Sequence, residues 1–169
     1  MTLHRRAAVF LLILGAGLLL GAPAPASGPP APDDAARPFT LSDLDGRPVT
    51  LASFKGRLVL LHFWATWCPT CREEMTILEE GARAHPETLV ILGINLGEKR
   101  SKVASYVKES GITFPILLDA RGKVAASYGV LSLPITLVID RDGRVAERVL
   151  MGSLDREGVE SILGRHPPD

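Results

Sequence analysis

The chain's two cysteines, Cys68 and Cys71, stand three apart in Trp67-Cys68-Pro69-Thr70-Cys71. The apolar run Leu58 to Trp64 leads into them, and Arg72, Glu73, Glu74, Met75, Ile77 and Leu78 follow with helical character. That order sets a pair of thiols at a strand-to-helix turn. Unpaired N–H groups and the positive end of a helix dipole stabilise a thiolate there, so the pKa of Cys68 is expected to fall. Cys68 is the expected nucleophile. Pro69 suits the first helical position, where its missing N–H has no intrahelical partner. Cys71, one turn further in, is expected to be more shielded and within bonding reach, and so to be the resolving thiol. The chemistry such a pair performs is thiol–disulfide exchange. The competing reading, half of a zinc site, lacks the second C-x-x-C that a tetrahedral shell needs. No metal is expected, and no cofactor beyond a redox-active Cys68–Cys71 disulfide.

At 169 residues and 46% hydrophobic content, the chain has enough apolar mass for one domain with its own core and a short extension. Nineteen basic residues balance nineteen acidic ones, a charge pattern that gives no footprint for nucleic acid. The first 26 residues read as a targeting segment: His4, Arg5 and Arg6, an uncharged apolar run from Ala7 to Ala22, then Ala24-Pro25-Ala26. This is either a cleaved signal peptide or an uncleaved membrane anchor. Export matters to the chemistry, because an exposed C-x-x-C outside the cytoplasm drifts oxidised unless electrons are supplied. Residues 27–37 read as a Pro/Ala-rich linker that tethers the domain, 38–165 as the folded unit and 166–169 as a tail.

The elements that must position the thiols follow in order. Phe39-Thr40-Leu41 and Pro48-Val49-Thr50 flank Asp45-Gly46, which predicts a hairpin. Leu58 to Trp64 is apolar on both alternating faces apart from His62, as in a central strand covered on both sides. A helix is expected from about Cys68 to Ala84, a second buried strand over Leu89 to Ile94, and a helix capped by Ser101 that Gly111 ends. A strand over Ile112 to Leu118, a short helix over Gly122 to Tyr128 and a hairpin, Ile135 to Asp140 with Val145 to Leu150, come next. A last helix opens at Ser153-Leu154-Asp155. The class is α/β, a mixed sheet with helices on both faces and its site outside the carboxyl ends of the strands.

From Phe39 to about Leu163 the chain resembles the TlpA/ResA/DsbE-type branch of the thioredoxin-like proteins, which are exported or membrane-tethered reductases. The octapeptide Trp64 to Cys71 carries the likeness first. Phe114 to Asp119 with Tyr128-Gly129-Val130 resembles that branch's strand-helix insertion, Leu133-Pro134 stands where the superfamily has its cis-proline, and Asn95-Leu96-Gly97-Glu98 resembles the loop that presents an active-site glutamate. The resemblance implies a cis Pro134 facing the cysteines, with the Leu133 backbone offered to an extended substrate strand. It also implies that Glu98 lies beneath the thiols with a raised pKa and takes the proton of Cys71.

His62, six residues before Cys68, departs from that pattern, which has Asp or Asn there. It reads as a neutral core histidine or as a second proton acceptor near Cys71. Trp67 is expected to shape the contact surface. Glu73 and Glu74 suit the helix dipole and call for no further role. The resemblance implies an apocytochrome c C-x-x-C-H disulfide as substrate and a membrane thiol transporter as electron donor. A rival function is a copper-site assembly factor using Cys68, Cys71 and His62, Met75 or Met151 as soft ligands. Net oxidation runs on the same chemistry. A peroxidase is disfavoured, because the peroxiredoxin pattern needs Pro and Thr or Ser where Leu61 and Ala65 stand.

Overall fold

The computed structural model describes residues 28–149 and 154–168; the expected targeting segment and Met151 lie outside them. Among the described residues seven strands form one mixed sheet: β1 Thr40–Asp43, β2 Pro48–Thr50, β3 Leu58–Trp64, β4 Leu89–Leu96, β5 Ile116–Asp119, β6 Ile135–Ile139 and β7 Val145–Val149. Their spatial order is β2-β1-β5-β4-β3-β6-β7, with β3, β4 and β5 parallel and the outer pairs antiparallel. The described residues form four α-helices, of which the first three connect strands: α1 Pro69–Ala84, α2 Arg100–Ser110, α3 Lys123–Ser127 and, after β7, α4 Arg156–Arg165.

The two central strands explain the architecture. Every residue of β3 is buried, and strand alternation divides them between two cores. Leu58, Leu60 and Trp64 pack with Cys71, Met75 and Leu78 of α1, Val103 of α2, and Val159 and Ile162 of α4. Val59, Leu61 and Phe63 face the other way, against Leu51, Val124, Ala125 and Tyr128. Helices therefore cover both faces, as expected. His62 shares the parity of Leu60 and Trp64, which places it under α1.

Several boundaries differ from expectation for local reasons. The strand expected from Ile112 begins at Ile116, because Pro115 has no N–H to give and uses its carbonyl to accept from Gly93 N at 2.9 Å. Helix α2 starts at Arg100, one residue before the expected cap Ser101, and carries no side-chain cap. Asp155 caps α4, its Oδ1 accepting from Gly158 N at 2.7 Å.

The described part of the segment read as a Pro/Ala-rich linker, residues 28–37, is laid onto the domain. Pro30 is buried. Asp33 N donates to Val145 O at 2.8 Å, Val145 N to Asp34 O at 2.9 Å and Ala36 N to Gly143 O at 2.9 Å. Prolines at 29, 30, 32 and 38 suit this extended course along an edge, since they donate nothing there.

Candidate active site

Strand β3 ends at Trp64 and the chain turns through Ala65, Thr66 and Trp67 into α1, whose N-cap is Cys68 and whose first residue is Pro69. Cys71 N donates to Cys68 Sγ at 3.2 Å, so the outer sulfur occupies the capping position itself. The two sulfurs are bonded at 2.11 Å, with their Cα atoms 5.3 Å apart. Cys68 is 5% exposed and Cys71 fully buried, which distinguishes the attackable sulfur from the protected one.

The Leu133–Pro134 peptide bond is cis, as the resemblance implied. Pro134 is buried, and Leu133 packs partly into both cores. Next to it, Trp67, Leu96, Val130, Leu131, Ser132 and Leu133 line a groove of about 230 Å³ that carries no charged side chain. Trp67 is 66% exposed and Leu131 96%, and these are the exposed large hydrophobic side chains among the described residues. Leu131 and Ser132 were not singled out in the sequence, and Leu96 and Val130 were noted only as parts of stretches that carry the resemblance. Leu96 ends β4, and the others stand in the loop just before the cis bond.

Glu98 stands in different surroundings from those expected. Its Oε2 accepts from Thr66 N at 2.7 Å and Asn95 Nδ2 at 2.9 Å, and its Oε1 accepts from Thr66 Oγ1 at 2.7 Å and pairs with Lys102 Nζ at 2.7 Å. Burial pushes this carboxyl up, but the hydrogen bonds from Asn95, Lys102 and Thr66 together outweigh it and bring the pKa to about 2. The expected raised pKa is thus reversed. A carboxylate with both oxygens engaged by four donors holds the Ala65–Trp67 turn in place and is poorly suited to accept a proton.

Beneath the turn lies a pair that sequence reasoning only half found. His62 is fully buried; its Nδ1 is 2.9 Å from Thr136 Oγ1, the residue opposite it on β6, and 3.8 Å from Glu74 Oε2. Its Nε2 is buried without a partner, and burial lowers the imidazole pKa to about 3, so the ring is neutral. Glu74 was expected to suit the helix dipole and to need no further role. It is 4% exposed and faces the core. Helical spacing held the signal, for Cys71, Glu74, Met75 and Leu78 stand at i, i+3, i+4 and i+7 on one face.

Among the described residues no group of three or more His, Cys, Asp or Glu side chains is placed to hold a metal ion. Met75 is sealed in the core beneath α1.

Residues 32–148 match the model of the AhpC/TSA family. A thiol-disulfide oxidoreductase ResA of Geobacillus thermodenitrificans is 37% identical over 139 residues, which cover 82% of this chain and 76% of the relative. The chain belongs to the AhpC/TSA family, among its ResA-like members. Solved structures agree. The secreted Mycobacterium tuberculosis disulfide oxidoreductase homologous to E. coli DsbE superposes with a TM-score of 0.65 at 29% identity, over 73% of this chain and 95% of that one. A DsbF homologue from Corynebacterium diphtheriae gives 0.71 at 27% identity, over 78% and 85%. This AhpC/TSA protein has the thioredoxin-like fold and is a protein thiol-disulfide oxidoreductase. Leu61 and Ala65, which break the peroxiredoxin pattern, are both fully buried.

Proposed function

We propose that the chain is an exported reductase of protein disulfides. The observation that carries this reading is the capping of α1 by Cys68 Sγ at the edge of an uncharged groove. In the reduced protein the N–H groups of the first helical turn favour a thiolate on Cys68. That thiolate attacks one sulfur of the substrate disulfide; the substrate S–S bond breaks, the departing substrate thiolate takes a proton, and a mixed disulfide forms. Cys71 then gives up its proton and attacks Cys68 Sγ. The intramolecular S–S bond forms, the second substrate thiolate leaves, and two electrons have passed to the substrate.

The proton of Cys71 goes to Glu74 in this account. The two side chains stand one helical turn apart on the buried face, where Cβ atoms are about 5–6 Å apart. His62 lies below, its Nδ1 3.8 Å from Glu74 Oε2. Glu98 keeps the turn rigid from the side.

An extended segment beside the cis turn meets the Leu133 backbone, while its side chains meet Trp67 and Leu131. Among protein disulfides the apocytochrome c C-x-x-C-H pair is the substrate the resemblance implies, with a membrane thiol transporter restoring the dithiol. The basic and apolar N-terminal pattern supports export. Replacing Cys71 by Ser in the native host tests the scheme, since the mixed disulfide then has no resolving thiol. A covalent adduct to Cys68 containing a protein with a C-x-x-C-H motif is the expected result. Adducts that form equally well with Cys68→Ser would reverse the assigned roles.

A further inference from the structure

The groove's outer wall is the loop Gly129–Leu133, and its far end is fixed by Leu133 and Pro134 in the core. The near end follows α3, where Gly129 N donates to Ala126 O at 3.0 Å and Val130 N to Ala125 O at 2.9 Å. Helix α3 has only five residues and is weak by itself. What braces it comes from the start of the described chain.

Pro29 lies against Gly129 so closely that a Cβ on the glycine would stand 2.6 Å from Pro29 Cβ and 2.9 Å from its Cγ. Gly129 also has a φ of +63°, so the bare residue serves both the turn and the contact. Tyr128 Oη donates to Arg37 O at 2.8 Å, and the Tyr128 ring packs on Phe39 and Phe63, with centroids 6.5 and 6.0 Å away. Arg37 Nη2 donates to Gly28 O at 2.8 Å and closes residues 28–37 into a loop; Arg148 of β7 donates to Tyr128 O from the side. Arg144 Nη1 donates to Asp33 O at 2.6 Å and ties the middle of the segment to the β6–β7 turn.

We propose that residues 28–37 are a positioning strap for the substrate loop: Pro29 on Gly129 and Arg37 on Tyr128 hold the wall formed by Val130, Leu131 and Ser132 at the distance from Trp67 that an extended polypeptide needs. This rests on the reading of that groove as the substrate's seat. The strap contacts neither cysteine, so it acts on substrate placement and leaves sulfur chemistry alone.

Tyr128→Phe removes the hydroxyl bond and keeps the ring, and Pro29→Gly removes the ring from Gly129; the two are tested singly and together in the full chain. For reduction of insulin, a protein disulfide, KM is expected to rise roughly 3- to 10-fold in the double variant, the scale of a small misplacement of substrate. Reduction of cystine, too small to span the groove, should keep its rate. Amide hydrogen exchange at Val130 to Leu133 should quicken in the variants while that of β3 stays unchanged. Insulin and cystine turnover falling together, or an unchanged insulin KM, would overturn the strap. If the parent chain reduces neither substrate, the reductase reading fails instead, and exchange alone decides the strap: unchanged protection of Val130 to Leu133 would refute it.

Discussion

His62 lies beneath the redox turn and Glu98 beside it, and opposite balances set their charge. For His62, burial goes unanswered and the folded pKa drops to about 3. For Glu98, burial is outweighed by Asn95, Lys102 and Thr66, and the folded pKa drops to about 2. Both shifts are downward but act in different pH windows. An unfolded histidine binds a proton below about 6.5. The folded chain refuses that proton, so stability falls as pH drops from there towards 3. Glu98 contributes stability that is present above the unfolded carboxylate value of about 4.3 and is lost as pH falls towards 2. Urea unfolding over a pH series should therefore show a flatter slope between about pH 6.5 and 4.5 for His62→Asn than for the parent. Glu98→Gln should be less stable than the parent at neutral pH, by about 1–3 kcal/mol for the donors it leaves underserved, with the gap closing in acid. Equal slopes for His62→Asn and the parent would show that the imidazole is not held neutral.

The packing of β3 against β4 decides where the redox turn sits, and Gly93 is the tight point. A Cβ there would stand 2.6 Å from Ile116 Cδ1, 3.1 Å from Phe114 Cε2 and 3.2 Å from Trp64 Nε1. Gly93→Ala is expected to destabilise by about 1–3 kcal/mol and to shift Trp64, the last residue before the turn. Thermal unfolding with near-UV circular dichroism checks both; an unchanged melting temperature would contradict the packing. The element scale is also where the sequence was most legible. Leu58–Trp64, interrupted by His62, and Leu89–Ile94 are apolar runs, Asp45-Gly46 marks the hairpin of β1 and β2, and Cys68-Pro69 marks a helix start, all of them local signals. Glu98 was found but its charge was misjudged, because the donors that outweigh its burial are Asn95 and Lys102 and then Thr66, which stands thirty-two residues away, and none of them shows itself as a donor in the sequence. Glu74 was undervalued because an acid in a helix's opening turns has a sufficient local explanation in the dipole. Leu131 and Ser132 had no local signal as groove residues, since it is the tertiary approach to Trp67 that makes them a wall. Residues 28–37 looked like a tether by composition, and hydrogen bonds to the β6–β7 turn lay them down instead.

For the molecule as a whole, the redox state and the fold share one free-energy cycle. A chain whose reduced form is the more stable is a strong oxidant, whereas a donor of electrons has the more stable disulfide form. The reductase reading predicts that the oxidised protein unfolds at higher urea than the reduced protein. The reverse order would make it an oxidase of the same fold. The groove, the strap and the buried pair serve this cycle only if the outer sulfur is the reactive one. Alkylation rates of the reduced protein across a pH series, with Cys71→Ser isolating Cys68, test that most directly. The account predicts that Cys68 titrates well below the ordinary thiol value of about 8.5, while Cys71 in Cys68→Ser reacts slowly throughout. A Cys68 that titrates like a free thiol, or a Cys71 that reacts faster, would contradict it.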